Sequence, residues 1–358
     1  MLLSSLFITF LLEYFLTPAE DSFDKYLSRV INWVRFKLDV DDKKVALLTW
    51  SVLVVGSSLA LWVLWEILLF IHPILAFVFL VGFLYLNLGF KRFINIFLKI
   101  HSHLKNEEIE QARLEINEWS SSVKSNQVVT DAIKSGDARQ IAREATKLLV
   151  LSMHRNLFAP IFWLVMLPGP VGILLYRASL FVQREWSQTH EDVGNPDLND
   201  DSVRSALEKE EKHTEEKIES GEERFDTYAE IASRGFFWFD WLPARFTSLV
   251  FAIVGNFEDA FAQGRLQGTE IGYKSPSASD RLLLAVGEGA MMLSLTIPTA
   301  VSGTQQLNNM DDLSSRPELL EPDINSMKFA IGLMWRSLIL CMVIFTLVSF
   351  GYFLRFFY

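Results

Sequence analysis

Val45 to Phe90 reads VALLTWSVLVVGSSLALWVLWEILLFIHPILAFVFLVGFLYLNLGF, 46 residues with one formal charge, Glu66, and with His72-Pro73 in the interior. A bilayer core about 30 Å thick needs roughly 20 apolar residues at about 1.5 Å each. The run is long enough to cross twice. Proline lacks a backbone donor and sits more easily in a turn than in mid-helix, so Pro73 marks the turn. The reading is a transmembrane helical hairpin over 45–90. It sets the class: an all-α, polytopic helical integral membrane protein, with the lipid bilayer as its first partner.

Composition agrees. Half of the 358 residues are hydrophobic, yet 21% are charged, so lipid-facing and water-facing parts must be segregated along the chain. Ten Trp and 29 Phe fit rings anchored at both interfaces. The single Cys341 excludes an internal disulfide, a CxxC redox pair and a thiolate zinc cluster. The net charge of -10 is concentrated, because residues 191–234 carry 15 Asp/Glu against 6 Lys/Arg. Nucleic-acid binding needs a basic surface to neutralise phosphates, so this acidic chain does not read as a general nucleic-acid binder.

Working outward from the hairpin, 1–44 reads as an N-terminal membrane segment and an amphipathic connector. Met1 to Leu16 is apolar except for Glu13, and without a positive n-region it is expected to stay uncleaved as a short or tilted first helix. In the connector, Phe23, Tyr26, Leu27, Val30, Ile31, Val34 and Leu38 form one helical stripe. After the hairpin, 91–155 is helix-like, and Lys91-Arg92 directly abuts the membrane. The positive-inside rule places this helical region and the connector in the cytoplasm. A third apolar block, within 156–185, is expected to be proline-broken, by Pro160 and by Pro168-Gly169-Pro170. Two prolines flanking a glycine free backbone groups that lipid cannot satisfy, so this backbone should be packed in protein or face a wet cavity. An acidic loop and helix fill 186–235 and are expected opposite the cytoplasmic face. An aromatic membrane segment and a small-residue region occupy 236–327, and 328–358 holds the last transmembrane helix, with Ser337 to Leu354 free of charge. The total is five or six membrane segments.

Three stretches hold candidate ligand or partner residues. Arg155-Asn156 stands at the mouth of the broken block, just before Ala159-Pro160. Its arginine is either a snorkelling anchor or a fixed cation for an anionic group. Asp240 and Arg245 bracket Pro243, which is expected to interrupt the helix between them. Ionisable residues among so many aromatics are functional candidates. Here they are an ion pair, a ligand or partner site, or separate interfacial charges. Asn256 and Glu258 follow Gly255 at the end of that block, where a helix C-terminus and a new cap also explain them. Two arginines and one carboxylate leave a positive surplus, so Arg155 and Arg245 are expected to share a pocket with an anion or another acid, such as Glu258. Elsewhere, Glu66 and His72 near the hairpin tip are a proton-relay pair or snorkelling groups. His101 and His103 are spaced for opposite faces of a helix, against a shared metal. The sequence holds no GxxxxGK[ST] loop, dinucleotide GxGxxG, GxSxG elbow or HExxH. No catalytic residue, metal site or cofactor is expected. A transporter would need inverted hydropathy repeats or paired broken helices, and a single broken segment falls short of that.

Leu148-Leu149, Arg155 and Ala159-Pro160-Ile161-Phe162-Trp163-Leu164 resemble the "LL…R…APLFWL" segment of the AmpE family, bacterial inner-membrane proteins linked to β-lactamase induction. Asp240-Trp241-Leu242-Pro243-Ala244-Arg245, then Ala252-Ile253-Val254-Gly255 and Glu258, are similar to that family's "DWVPVR…ALIG…E". Ala159-Pro160, Leu242-Pro243-Ala244-Arg245 and Leu333-Met334-Trp335 also resemble the related CobD/CbiB family, membrane enzymes of cobalamin biosynthesis that join an aminopropanol-type amine to a corrin carboxylate. That family's "VETVAEN…DG", "NTLDS" and "ARMDD" carboxylate runs are missing. Their positions hold residues such as Lys147, Leu151, Ser152, Gln183 and Phe236. Hard cations need such oxygens. The resemblance therefore implies the fold without the synthase: a non-catalytic, regulatory or sensory inner-membrane protein acting through an anionic small molecule or a membrane protein partner. A divergent CobD/CbiB adenosylcobinamide-phosphate synthase is the alternative.

Overall fold

The computed structural model describes residues 2–15, 31, 43–123, 137–193, 201–270, 278–295 and 319–357. The connector stripe other than Ile31, and the turn signals at 195–200, lie outside these residues. Among the described residues the structure is helical, with one isolated bridge between Leu293 and Leu320. In chain order the helices are α1 (Leu2–Phe15), α2 (Lys43–Ile71), α3 (Pro73–Leu88), α4 (Phe90–Lys105), α5 (Ile109–Val123) and α6 (Ala138–Met166). There follow α7 (Val171–Val193), α8 (Asp201–Val254), α9 (Phe257–Glu270), α10 (Ala278–Met291) and α11 (Met327–Phe357). Five stretches among the described residues are long and apolar enough to cross a membrane: Lys43–Ile71, Pro73–Lys105, Ala138–Met166, Thr227–Val254 and Met327–Val348. A shorter apolar helix, Leu3–Phe15, precedes them. The protein is an all-α, multi-pass membrane protein.

The hairpin turn falls where Pro73 puts it. His72 leaves helical geometry (φ -165°, ψ 129°) and α3 begins at Pro73, whose missing N–H is no loss at a first helical position. The ring of His72 has a local duty, because its Nδ1 accepts the N–H of Ile74 at 3.1 Å and caps α3.

By chain contacts the molecule divides into two compact units. One comprises Ala19–Leu80 and Trp163–Asp240. In it α2 packs on α7 around Trp50, Val54, Val182, Trp186 and Tyr228, with Ile31 of the connector buried in the same cluster. Pro168-Gly169-Pro170 separates α6 from α7. Gly169 has φ +63° and lies against the Trp65 ring, 2.7 Å from where a Cβ would stand, so only glycine fits both constraints. Gly169 and Pro170 of this turn are buried, whereas Pro168 is exposed.

The other unit comprises Met1–Pro18, Val81–Phe162 and Trp241–Tyr358. Its axis is α6, which packs against α4, α5, α10 and α11 and is buried almost without interruption from Ile141 to Met153. The α9–α10 hairpin is drawn tight by glycine. A Cβ on Gly255 would strike Ala290, and one on Gly289 would strike the backbone of Asp259 and Ala260. On α11, Arg336 donates from Nη1 to the carbonyl of Val254 at 3.2 Å, placing a cation on the C-terminus of α8.

Two expectations about proline are overturned. Pro160 does not break its helix. The preceding turn, His154–Phe158, widens to π geometry, with the N–H of Ala159 reaching back five residues to the His154 carbonyl, and α6 runs through it. The span thus begins at Ala138, and the boundary drawn at 155/156 falls inside a continuous helix. Pro243 likewise lies within α8 without ending it. An imino nitrogen at 243 leaves the Phe239 carbonyl without its helical donor. The indole N–H of Trp163 donates to that carbonyl at 3.1 Å, so the helix continues with its backbone satisfied.

Candidate functional site

The π-turn in α6 places two consecutive ionisable side chains in the interior. A π-turn adds a residue to one turn of helix and re-aims the side chains on it, and such turns are frequent at functional sites; α2 carries another at Val52–Gly56, an apolar run without ionisable side chains. His154 is fully buried and its Nδ1 lies 2.9 Å from the hydroxyl of Thr247 on α8. Arg155 is 8% exposed, and its Nη2 donates to Oδ2 of Asp280 at 2.6 Å, a short charge-assisted bond. Asp280 sits in the first turn of α10, where the helix dipole also favours a carboxylate. One turn of one helix is thereby tied to α8 and to α10.

Hydroxyls and a second ion pair extend the polar seam. Ser152 on α6, Ser248 on α8 and Ser279 on α10 are buried, and their hydroxyls lack partners among the described residues. Two turns earlier on α6, Lys147 Nζ donates to Glu144 Oε1 at 2.8 Å, with both side chains at most 6% exposed. Aromatic pairs line the remainder of the helix contact: Phe158 meets Phe251 with centroids 5.8 Å apart, and Phe162 meets Phe246 at 5.4 Å. The Ala159-Pro160-Ile161-Phe162 run and the segment after Asp240-Trp241-Leu242-Pro243 are thus packed face to face.

Each residue singled out in the sequence has a definite place. Arg155 is held by Asp280, an acid that the sequence reading did not name. Asn156, half buried, shares the π-turn, and Ala159 and Pro160 are buried as the turn closes. Asp240 is 2% exposed and accepts the hydroxyl of buried Tyr176 at 2.9 Å. Arg245 lies over its own neighbour Trp241, 3.7 Å from the ring centroid, and donates to the Trp241 carbonyl at 3.0 Å. An acid thus faces Arg155 and an indole faces Arg245. Asn256 is a cap, its side chain exchanging hydrogen bonds with Asp259 at the start of α9 (2.6 and 3.4 Å). Glu258 is exposed in that first turn, where its charge suits the dipole. His103 pairs with Glu108 at 2.6 Å.

His154, Thr247 and Asp280 escaped sequence reasoning. Arg155 pairs across 125 positions, and no local spacing rule reaches that far. The available signal was electrostatic: a buried arginine demands an acid, and Asp280 opens a helix of small residues that reads as buried. Among the described residues no group of three or more His, Cys, Asp or Glu is placed to hold a metal ion. Chemically, the seam offers a guanidinium engaged by a carboxylate and an imidazole hydrogen-bonded to a hydroxyl. No family model, curated protein or solved structure matches this chain.

Proposed function

We propose that the chain is a regulatory membrane protein of the bacterial inner membrane, AmpE-like and without catalytic activity of its own, that relays a cell-envelope signal. The observation that carries this reading is the partly buried ion pair between Arg155, on the π-turn of α6, and Asp280 of α10. A relay needs an element with two arrangements, whose balance a ligand or partner can bias. A π-turn can revert to α geometry by a one-residue shift, and the ion pair holds it in its present form. An anionic small molecule, or the carboxylate of a membrane protein partner, competing for Arg155 would release α10.

The test is made in the cell. Deleting the gene should change the threshold at which a β-lactam induces β-lactamase. Asp280→Asn, inserted in the membrane at wild-type amount, should shift that threshold while a silent substitution on the exposed face of α2, Leu59→Ile, should not. An unchanged threshold on deletion overturns the reading. So does restored cobinamide use when this chain is supplied to a strain lacking its CobD/CbiB synthase, which would establish the amide-forming enzyme instead.

A further inference from the structure

A cavity of about 730 Å³ lies among α1, the start of α4 and α11, well away in sequence from the π-turn. Sites that take small molecules run from roughly 300 to 1,000 Å³. Its walls are almost wholly apolar, with Phe7, Leu338, Ile339 and Met342 along its length. Phe10, Phe90 and Trp335 brace one end edge to face, at centroid separations of 5.7 and 5.5 Å. Phe7 and Ile339 are more than half exposed on helices that are apolar over most of their length, so the mouth faces lipid.

The polar end is unusual. Glu13 is only 1% exposed although it lines the cavity. Its Oε1 accepts the backbone N–H of Lys91 at 3.4 Å and so caps the start of α4, while Oε2 is buried with no partner among the described residues. Lys91 stands beside it on the cavity wall, its Nζ donating to the Tyr14 carbonyl at 2.9 Å. An apolar trough therefore ends in an acid and a base side by side. A buried carboxylate oxygen without a donor is costly, and a ligand bringing one would remove that penalty.

We infer that this cavity binds a bilayer phospholipid with a phosphoethanolamine-type headgroup. The primary ammonium donates to Glu13 Oε2, the phosphate lies against Lys91, and one acyl chain follows the trough past Met342. The acid–base pair is the charge complement of that headgroup. A trimethylated ammonium has no N–H to give, and an anionic headgroup lacking an amine meets Lys91 but leaves Oε2 unpaired. The inference is independent of the regulatory reading.

The test is lipid retention by the full-length protein, measured by native mass spectrometry after stepwise delipidation in mixed micelles. Phosphatidylethanolamine, phosphatidylcholine and phosphatidylglycerol of identical acyl chains are offered together. Phosphatidylethanolamine should be retained about tenfold over the other two, the gain of one charge-assisted hydrogen bond. Glu13→Gln should erase the preference, because its carbonyl takes over the cap and its NH₂ then faces the ammonium. Met342→Trp, which fills the trough, should lower retention of all three. Equal retention of the three lipids by the wild-type protein, or phosphatidylglycerol ahead, overturns the inference without any variant. A preference that survives Glu13→Gln, or retention that survives Met342→Trp, overturns it too.

Discussion

Lys147→Met should be the most damaging conservative change on α6. Lys147 and Glu144 are both buried, 2.8 Å apart, and Glu144 Oε2 already has no partner. Removing one member of a buried pair leaves an uncompensated charge and typically costs about 3–5 kcal/mol. The methylenes of lysine are nearly matched by methionine, so little of the loss comes from a cavity. The carboxylate can take a proton to escape its position, which sets the expectation near 3 kcal/mol, roughly a hundredfold in the folding equilibrium. Replacing both, as Glu144→Leu with Lys147→Met, removes the charges together and should fall within about 1 kcal/mol of wild type. Arg155–Asp280 makes the internal control. Asp280 retains 26% side-chain exposure, so water reaches it and Asp280→Asn should cost about 1–2 kcal/mol, less than Lys147→Met. Unfolding by increasing SDS in a mild detergent, followed by tryptophan fluorescence, gives Glu144→Leu, Lys147→Met and the double variant as a double-mutant cycle, with Asp280→Asn as the control. If Lys147→Met lies within about 1 kcal/mol of wild type, or if the double variant is no more stable than Lys147→Met, the claim that this pair is a dry, mutually dependent unit is refuted.

Trp163→Phe orphans the Phe239 carbonyl and should cost about 1–3 kcal/mol, measured in the same titration. Adding Pro243→Ala restores an amide at the position that should donate to it, so the double variant should recover much of the loss; further destabilisation would show that the indole bond is incidental. Gly169→Ala faces both a left-handed backbone, at about 1–2 kcal/mol, and overlap with Trp65, at about 1–3 kcal/mol more. Combining it with Trp65→Ala should relieve the overlap and leave the backbone strain visible, which comparison with Trp65→Ala alone will read out.

Elements governed by local chemistry were legible in the sequence. The His72-Pro73 turn, the Asn256 cap and the Pro168-Gly169-Pro170 turn that ends α6 each follow from what a few neighbouring residues can and cannot donate. Failures arose where a distant group overrides a local rule. Pro243 reads as a helix breaker because its deprived carbonyl is visible in sequence, whereas the rescuing indole of Trp163 is not. Pro160 is tolerated because the turn before it widens, a register change with no compositional signature. The start of α6 was placed too late because Arg139, Arg143, Glu144 and Lys147 give the stretch before Leu148 the look of a water-facing helix. Glu144 and Lys147 neutralise each other one turn apart, which makes the segment fit for burial. The site shows the same division: Arg155 and Asn156 stand out in the sequence by their place at the mouth of an apolar block, whereas Asp280 and Thr247, which the fold brings against that turn, do not.

The Arg336–Val254 contact has a bearing on how the protein is made. Arg336 lies 82 residues after the carbonyl it caps. At about 5–20 residues per second, translation delivers that guanidinium roughly 4–16 s after Val254 has been polymerised. Through that interval the Val254 carbonyl lacks this guanidinium, so the end of α8 gains its capping cation only once α11 has been made.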